Sequence, residues 1–171
     1  VSGAFFGYLN VCQQIFQVQY ELGVLFPIYF AVLAFSVGVA SLLNSSLVMR
    51  FGMHALANWA LRGMLFLSLV FLLIVWITDG HPSLGLFMAI CLALFFCIGI
   101  LFGNLNSIAM EPLGHVAGTA AAVIGSVATL VAVVLGYLIG ESYNGTLFPM
   151  ASGFVVLTTV SVVLTMKFET T

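Results

Sequence analysis

Four amide side chains lie close together near the start of this 171-residue chain: Asn10, Gln13, Gln14 and Gln17. In a helix, offsets of three, four and seven residues fall on one face. Amide groups that faced lipid would be costly, so this face must meet protein or water. Two interpretations remain open. The amides form the polar wall of a substrate pathway, or they make the interhelical hydrogen bonds that hold a bundle together.

Three more polar residues follow a long apolar run later in the chain, and they are Asn104, Asn106 and Glu111. Asn104 and Asn106 either line the same pathway or cap the end of a helix. We interpret the segment 111–115 as a loop, because Pro112 and a following glycine interrupt helical structure. Within it, Glu111 is either a cytoplasmic gate residue or a favourable anion near the start of the next helix.

The remaining reactive side chains form no catalytic or metal-binding pattern. Histidines fall between the apolar runs and cysteines fall inside them: His54, His81, His115, Cys12, Cys91 and Cys97. No CxxC pair, Ser/His/Asp arrangement, P-loop or zinc motif is present in the sequence. We therefore expect no catalytic residue, no metal and no cofactor, and we do not expect an enzyme.

The composition excludes several classes of protein. Hydrophobic residues make up 63% of the chain and charged residues only 5%, with a mean hydropathy of +1.28. Soluble domains carry about 25% charged residues. Three Lys/Arg against five Asp/Glu cannot form a basic patch for nucleic acid. The sequence predicts an integral membrane protein whose main surroundings are the lipid bilayer.

Six runs read as transmembrane helices, since about 20 apolar residues cross a bilayer. They are too long and too evenly apolar for the alternation of a membrane barrel. The fold class predicted is an all-α membrane protein with six spans, at about 2–17, 23–46, 58–78, 84–107, 116–140 and 147–166. The first is the shortest, and it contains the four amides.

Charge placement predicts the orientation of these spans. Alternation puts the three basic residues on the side of the N-terminus and three acidic residues on the other: Arg50, Arg62 and Lys167, against Glu21, Asp79 and Glu141. Positive charges favour the cytoplasmic side. We expect both ends of this segment to be cytoplasmic.

Small residues form stripes on two of the spans. In the fifth, Gly118, Gly125 and Gly136 fall within a narrow sector of the helix at 100° per residue. The second has a lesser version around Gly38. Such faces let another helix approach closely, either within this bundle or from a further group of helices. The presence of two such faces on a short bundle favours packing against a further group of helices.

The stretch 102–150 resembles the last three helices of bacterial drug:proton antiporters of the major facilitator superfamily, of the bicyclomycin/chloramphenicol-resistance (Bcr/CflA) type. The run EPLGHVAGTA at 111–120 is its specific part, and the turn at 143–146 supports it. In NSSLVMRFG at 44–52, Arg50 and Gly52 match the superfamily's cytoplasmic loop signature G-x-x-x-D-R-x-G-R-R. Ser45 and Met49 replace its glycine and aspartate.

This resemblance implies the C-terminal bundle of a twelve-helix fold, with the N-terminal half absent from this sequence. Two six-helix halves would rock around a midplane cavity. The glycine stripes would then face the other half, and Arg50, Gly52, Glu111 and His115 would form cytoplasmic loops and gates.

The implied function is multidrug efflux by proton antiport in the bacterial inner membrane, with the proton gradient as its energy source. Because no carboxylate lies well inside a span, we expect the proton-coupling acid in the missing half. Two alternatives stay open. One is a facilitator that moves a metabolite such as a sugar or an amino acid, and the other is a structural subunit of a membrane complex.

Overall fold

The structure is a computed structural model that describes residues 1–169. Almost all of this part is helical. Its helices are α1 (Ser2–Gln14), which continues as a π-helical stretch (Ile15–Gln19), then α2 (Phe26–Phe51), α3 (Met53–Ile77), α4 (Leu84–Met110), α5 (Ala117–Glu141) and α6 (Phe148–Glu169). Short 3-10 turns at Gly23–Leu25 and Glu111–Val116 precede α2 and α5.

Five of these helices are long and apolar enough to cross a membrane: Gly23–Phe51, Met53–Ile77, Leu84–Gly114, Ala117–Glu141 and Phe148–Lys167. The first of these ranges includes the 3-10 turn before α2, and the third extends into the turn after α4. The predicted all-α membrane class is confirmed at this level. The predicted span 2–17 is helical too, but its α-helical part is only 13 residues long. A six-span count and a twelve-helix fold stay predictions.

The helix boundaries follow local chemistry. Pro27 lies in the first turn of α2, where its missing N–H costs nothing. Gly52, with φ +80°, ends α2 and precedes α3. The interruption of helix predicted over 111–115 is present, but the segment is a 3-10 turn with a non-helical Leu113 and not an irregular loop. Pro112 fits its first turn, Leu113 within it has a non-helical ψ of +17°, and Val116, with φ −129° and ψ +30°, separates it from α5.

The centre of the bundle is α4, which packs between α2 and α3, while α6 packs on α3 and α1 lies along α5. Aromatic side chains fill the contact between α1 and α4. The Phe95 ring meets the Tyr8 ring edge-on at 4.8 Å, and the Phe87 ring meets the Phe16 ring at 5.7 Å. All four residues are at most 1% exposed, so these rings pack α1 and the π-helical stretch against α4, although the nearest helix neighbour of α1 is α5.

Glycines set the closest helix contacts. A Cβ atom at Gly136 of α5 would lie 2.6 Å from Phe6 Cβ of α1. The predicted packing of Gly136 against a second helical unit is therefore wrong, since α1 of the same bundle covers it. At Gly38, Gly118 and Gly125, by contrast, an added Cβ would meet no described atom within 4 Å.

Candidate binding cavity between helices α1 and α2

The four amides predicted to share one face do so, and they line a single cavity of about 690 Å³. All four side chains are exposed on the bundle. The cavity opens between α1 and α2, and its other lining residues come from these helices and the π-helical stretch: Leu9, Cys12, Val18, Phe26, Pro27 and Phe30. Its volume falls in the usual range of small-molecule sites.

A π-helical stretch begins directly after Gln14, the third of the four amides. The Tyr20 N–H donates to the Ile15 carbonyl at 3.0 Å, a bond that spans five residues instead of four. Such turns insert a residue into a helix and are frequent at functional sites. Gln17 lies within this stretch, and its Oε1 accepts a hydrogen bond from Gln13 Nε2 at 3.4 Å. The sequence pattern gave no sign of the π turn.

Aromatic rings form the opposite wall. Phe26 and Phe30 of α2 line the cavity, and behind Phe30 the ring of Tyr8 is stacked at 6.4 Å with an interplanar angle of 13°. Tyr8 is 1% exposed, and its hydroxyl has no described hydrogen-bond partner. This wall was not among the sequence-based predictions, although Phe26 and Phe30 are four residues apart and so share a helix face.

The lining carries no charge. It contains four amides, a thiol and apolar side chains, but no Asp, Glu, Lys, Arg or His. Amides both donate and accept hydrogen bonds. The cavity can therefore bind an uncharged molecule that has polar groups on one side and an apolar or aromatic surface on the other, but it offers no acid or base for chemistry.

The end of α1 beyond the cavity is tied to the neighbouring connections. Gln19 Nε2 donates to the Gly80 carbonyl at 3.3 Å, and the Leu147 N–H donates to the same oxygen at 3.1 Å. The Tyr20 hydroxyl donates to the Pro82 carbonyl at 2.9 Å. One turn between α3 and α4 thus holds both the end of α1 and the start of α6.

The two asparagines predicted with the four amides lie elsewhere. Asn104 is 1% exposed, and its Nδ2 donates to Asn44 Oδ1 of α2 at 2.6 Å and to the Ile100 carbonyl at 2.9 Å. Asn106 is exposed, and its Nδ2 donates to the Phe102 carbonyl at 3.0 Å. Neither lines the α1–α2 cavity, so the six predicted pathway residues do not form one site.

The predicted gate residues lie at the end of the bundle where α2 and α4 finish. Glu111 Oε2 is 3.2 Å from His54 Nε2, in a pair whose side chains are 57% and 61% exposed. The Arg50 guanidinium lies 5.2 Å from the centre of the Phe51 ring. The side chain of His115 is outside the described part of the structure. The His54–Glu111 pair has no signature in the sequence, since its members are 57 residues apart.

The described residues contain no group of three or more His, Cys, Asp or Glu side chains that could hold a metal. Cys12, Cys91 and Cys97 are free thiols. Comparisons with protein-family models, curated proteins and solved structures gave no match to this chain. Fold and site together define an all-α protein with five helices of membrane-spanning length and an uncharged, amide-lined cavity.

Proposed function

We propose that this chain is one six-helix half of a transporter of the major facilitator type. In this proposal it exports uncharged, drug-like small molecules in exchange for protons across the bacterial inner membrane. The observation that carries the proposal is the α1–α2 cavity, where four amides face two phenylalanines with no charged residue between them.

The choice of an uncharged substrate follows from the cost of burial. A charged molecule that entered this cavity would lose water and gain no opposite charge, which is strongly unfavourable. An uncharged molecule with carbonyl, hydroxyl or amide groups loses little, because Gln13 and Gln14 can replace its water contacts. Each such hydrogen bond contributes about 1 kcal/mol net. The rings of Phe26 and Phe30 offer stacking surface to an aromatic substrate.

The coupling to protons needs a group that titrates, and the cavity lining contains none. In our proposal that acid belongs to a second helical half, which packs against the open faces of α2 and α5. The bare surfaces around Gly38, Gly118 and Gly125 support this arrangement, since small residues allow helices to approach closely. The two halves would rock to expose the cavity to each side in turn.

The proposal is tested by accumulation of chloramphenicol, an uncharged molecule with an amide group and an aromatic ring, in cells that express this chain together with the proposed second half. We expect lower accumulation than in control cells, and the difference should vanish with a proton uncoupler. Gln13→Leu and Gln14→Leu should each weaken export about fivefold, the effect of one lost hydrogen bond. Thr159→Val is the control, because this exposed α6 hydroxyl donates to the Val155 carbonyl of its own helix and lies outside the cavity.

Two results would contradict the proposal. Accumulation that never responds to the uncoupler would favour a structural subunit, which has no reason to follow the proton gradient. Export that is unchanged in both leucine variants would remove the amides from the substrate pathway.

A further inference from the structure

A second polar pocket lies between α2 and α4, away from the cavity described above. It has a volume of about 350 Å³ and is lined by Asn44, Val48, Met53, Gly103, Asn104 and Ser107. It lies near the end of the bundle where α2 and α4 finish, and it shares no lining residue with the α1–α2 cavity.

The hydrogen bonds of Asn104 fix the orientation of both amides. Its Nδ2 uses one N–H for the Ile100 carbonyl at 2.9 Å and the other for Asn44 Oδ1 at 2.6 Å. Both protons of this nitrogen are therefore engaged. Since Asn44 presents its oxygen to Asn104, the Nδ2 of Asn44 must point away from that bond.

Two complementary hydrogen-bonding groups, one donor and one acceptor, have no described partner among the residues that line the pocket. Asn44 Nδ2 keeps two N–H donors, and Asn104 Oδ1 keeps its lone pairs, with no hydrogen bond to any other described residue. Asn104 is only 1% exposed, and it lines the pocket together with Asn44.

We infer that this pocket binds a small uncharged molecule that carries a carboxamide on an apolar or aromatic body. The ligand's carbonyl accepts from Asn44 Nδ2, and its N–H donates to Asn104 Oδ1. Its body lies on Val48 and Met53, whose thioether makes favourable contacts with aromatic rings. No charged side chain lines the pocket, so the site selects against ions. It does not depend on the transport function proposed above.

The experiment uses benzamide as the probe and saturation-transfer NMR on the protein in lipid nanodiscs, with empty nanodiscs as the blank. Asn44→Asp is the main variant, because the new carboxylate still accepts from Asn104 Nδ2 but no longer donates to the pocket. We expect it to weaken benzamide binding about fivefold to tenfold, the effect of one hydrogen bond. The same variant should gain binding of benzamidinium, the cation of the same shape.

A second variant and a control keep the result interpretable. Gly103→Ala adds a methyl group 3.4 Å from Asn44 Nδ2, so it should weaken benzamide binding while leaving the Asn44–Asn104 bond in place. Asn144→Asp makes the same chemical change in the α5–α6 connection, where the side-chain oxygen only accepts from Thr146. It should bind benzamide as the wild type does.

The inference is overturned if the wild type shows no benzamide signal above the blank, or if Asn44→Asp and Gly103→Ala both bind it normally. It is also overturned if Gln13→Leu abolishes the signal and Asn44→Asp does not, since the ligand would then occupy the α1–α2 cavity. That last result would leave the proposed transport function intact, so failures of the two proposals can be told apart.

Discussion

The contact between α1 and α5 depends on the absence of a side chain at Gly136. A Cβ atom there would lie 2.6 Å from Phe6 Cβ, 2.8 Å from the Phe6 carbonyl carbon and 3.0 Å from Gly7 N. Carbon atoms in contact normally lie about 3.5–4.0 Å apart. Gly136→Ala must therefore push the two helices apart by about 1 Å. Two of the three obstructing atoms are backbone, so no rotamer change can relieve the clash.

The expected cost follows from two opposing effects. Overpacking of this kind costs about 1–3 kcal/mol, whereas alanine stabilises a helix interior by about 1 kcal/mol relative to glycine. Gly125→Ala is the matched control, because it makes the same change on the same helix where no described atom lies within 4 Å. The difference in the free energy of unfolding between the two variants isolates the cost of the clash. We expect this cost to be about 2 kcal/mol, or a change of about thirtyfold in the unfolding equilibrium.

The assay is unfolding in mixed micelles by titration with dodecyl sulfate, followed by circular dichroism. Gly136→Ala should unfold at a lower detergent fraction than the wild type, and Gly125→Ala at the same or a higher one. Equal stability of the two variants would refute the close approach of α1 to α5. It would also reopen the assignment of Gly136 to contact with a second helical unit.

Two further predictions address the buried hydroxyl and the orientation of the helices. Tyr8→Phe should raise stability by about 1 kcal/mol in the same titration, because it removes a buried hydroxyl with no described partner; a loss of stability would show that this hydroxyl is hydrogen-bonded. Arg50 and Asp79 flank α3, whose 25 residues span about 37 Å, so cysteines placed at these positions should face opposite compartments. In intact cells an impermeant maleimide should label Asp79→Cys but not Arg50→Cys, and labelling of both would contradict the predicted orientation.

Much of the fold could be predicted because apolar run length is a local property. The spans at 58–78, 84–107, 116–140 and 147–166 all coincide with helices in the structure, with ends displaced by a few residues. The difference at 111–115 has a local cause as well. Proline is compatible with the first turn of a helix, so Pro112 lies in the first turn of a 3-10 segment instead of forcing an irregular loop.

The glycine stripe of α5 shows what cannot be predicted from a local pattern. Gly118, Gly125 and Gly136 share one helix face by spacing, yet α1 covers only Gly136. Periodicity determines which residues point the same way, but not which neighbour lies against each part of that face. The same limit applies to Asn104, whose partner Asn44 is 60 residues away along the chain.

The sequence by itself determined that this chain is helical and apolar enough for a membrane, and that four amides near its start, at 10–17, face one direction. Both follow from composition and from the 3.6-residue repeat. Only the tertiary structure decided that Phe26 and Phe30 close the amide cavity, that Asn44 and Asn104 form a second polar pocket, and that His54 meets Glu111. These contacts join residues on different helices, and the packing of helices against one another depends on the shapes of whole surfaces, which no local pattern encodes.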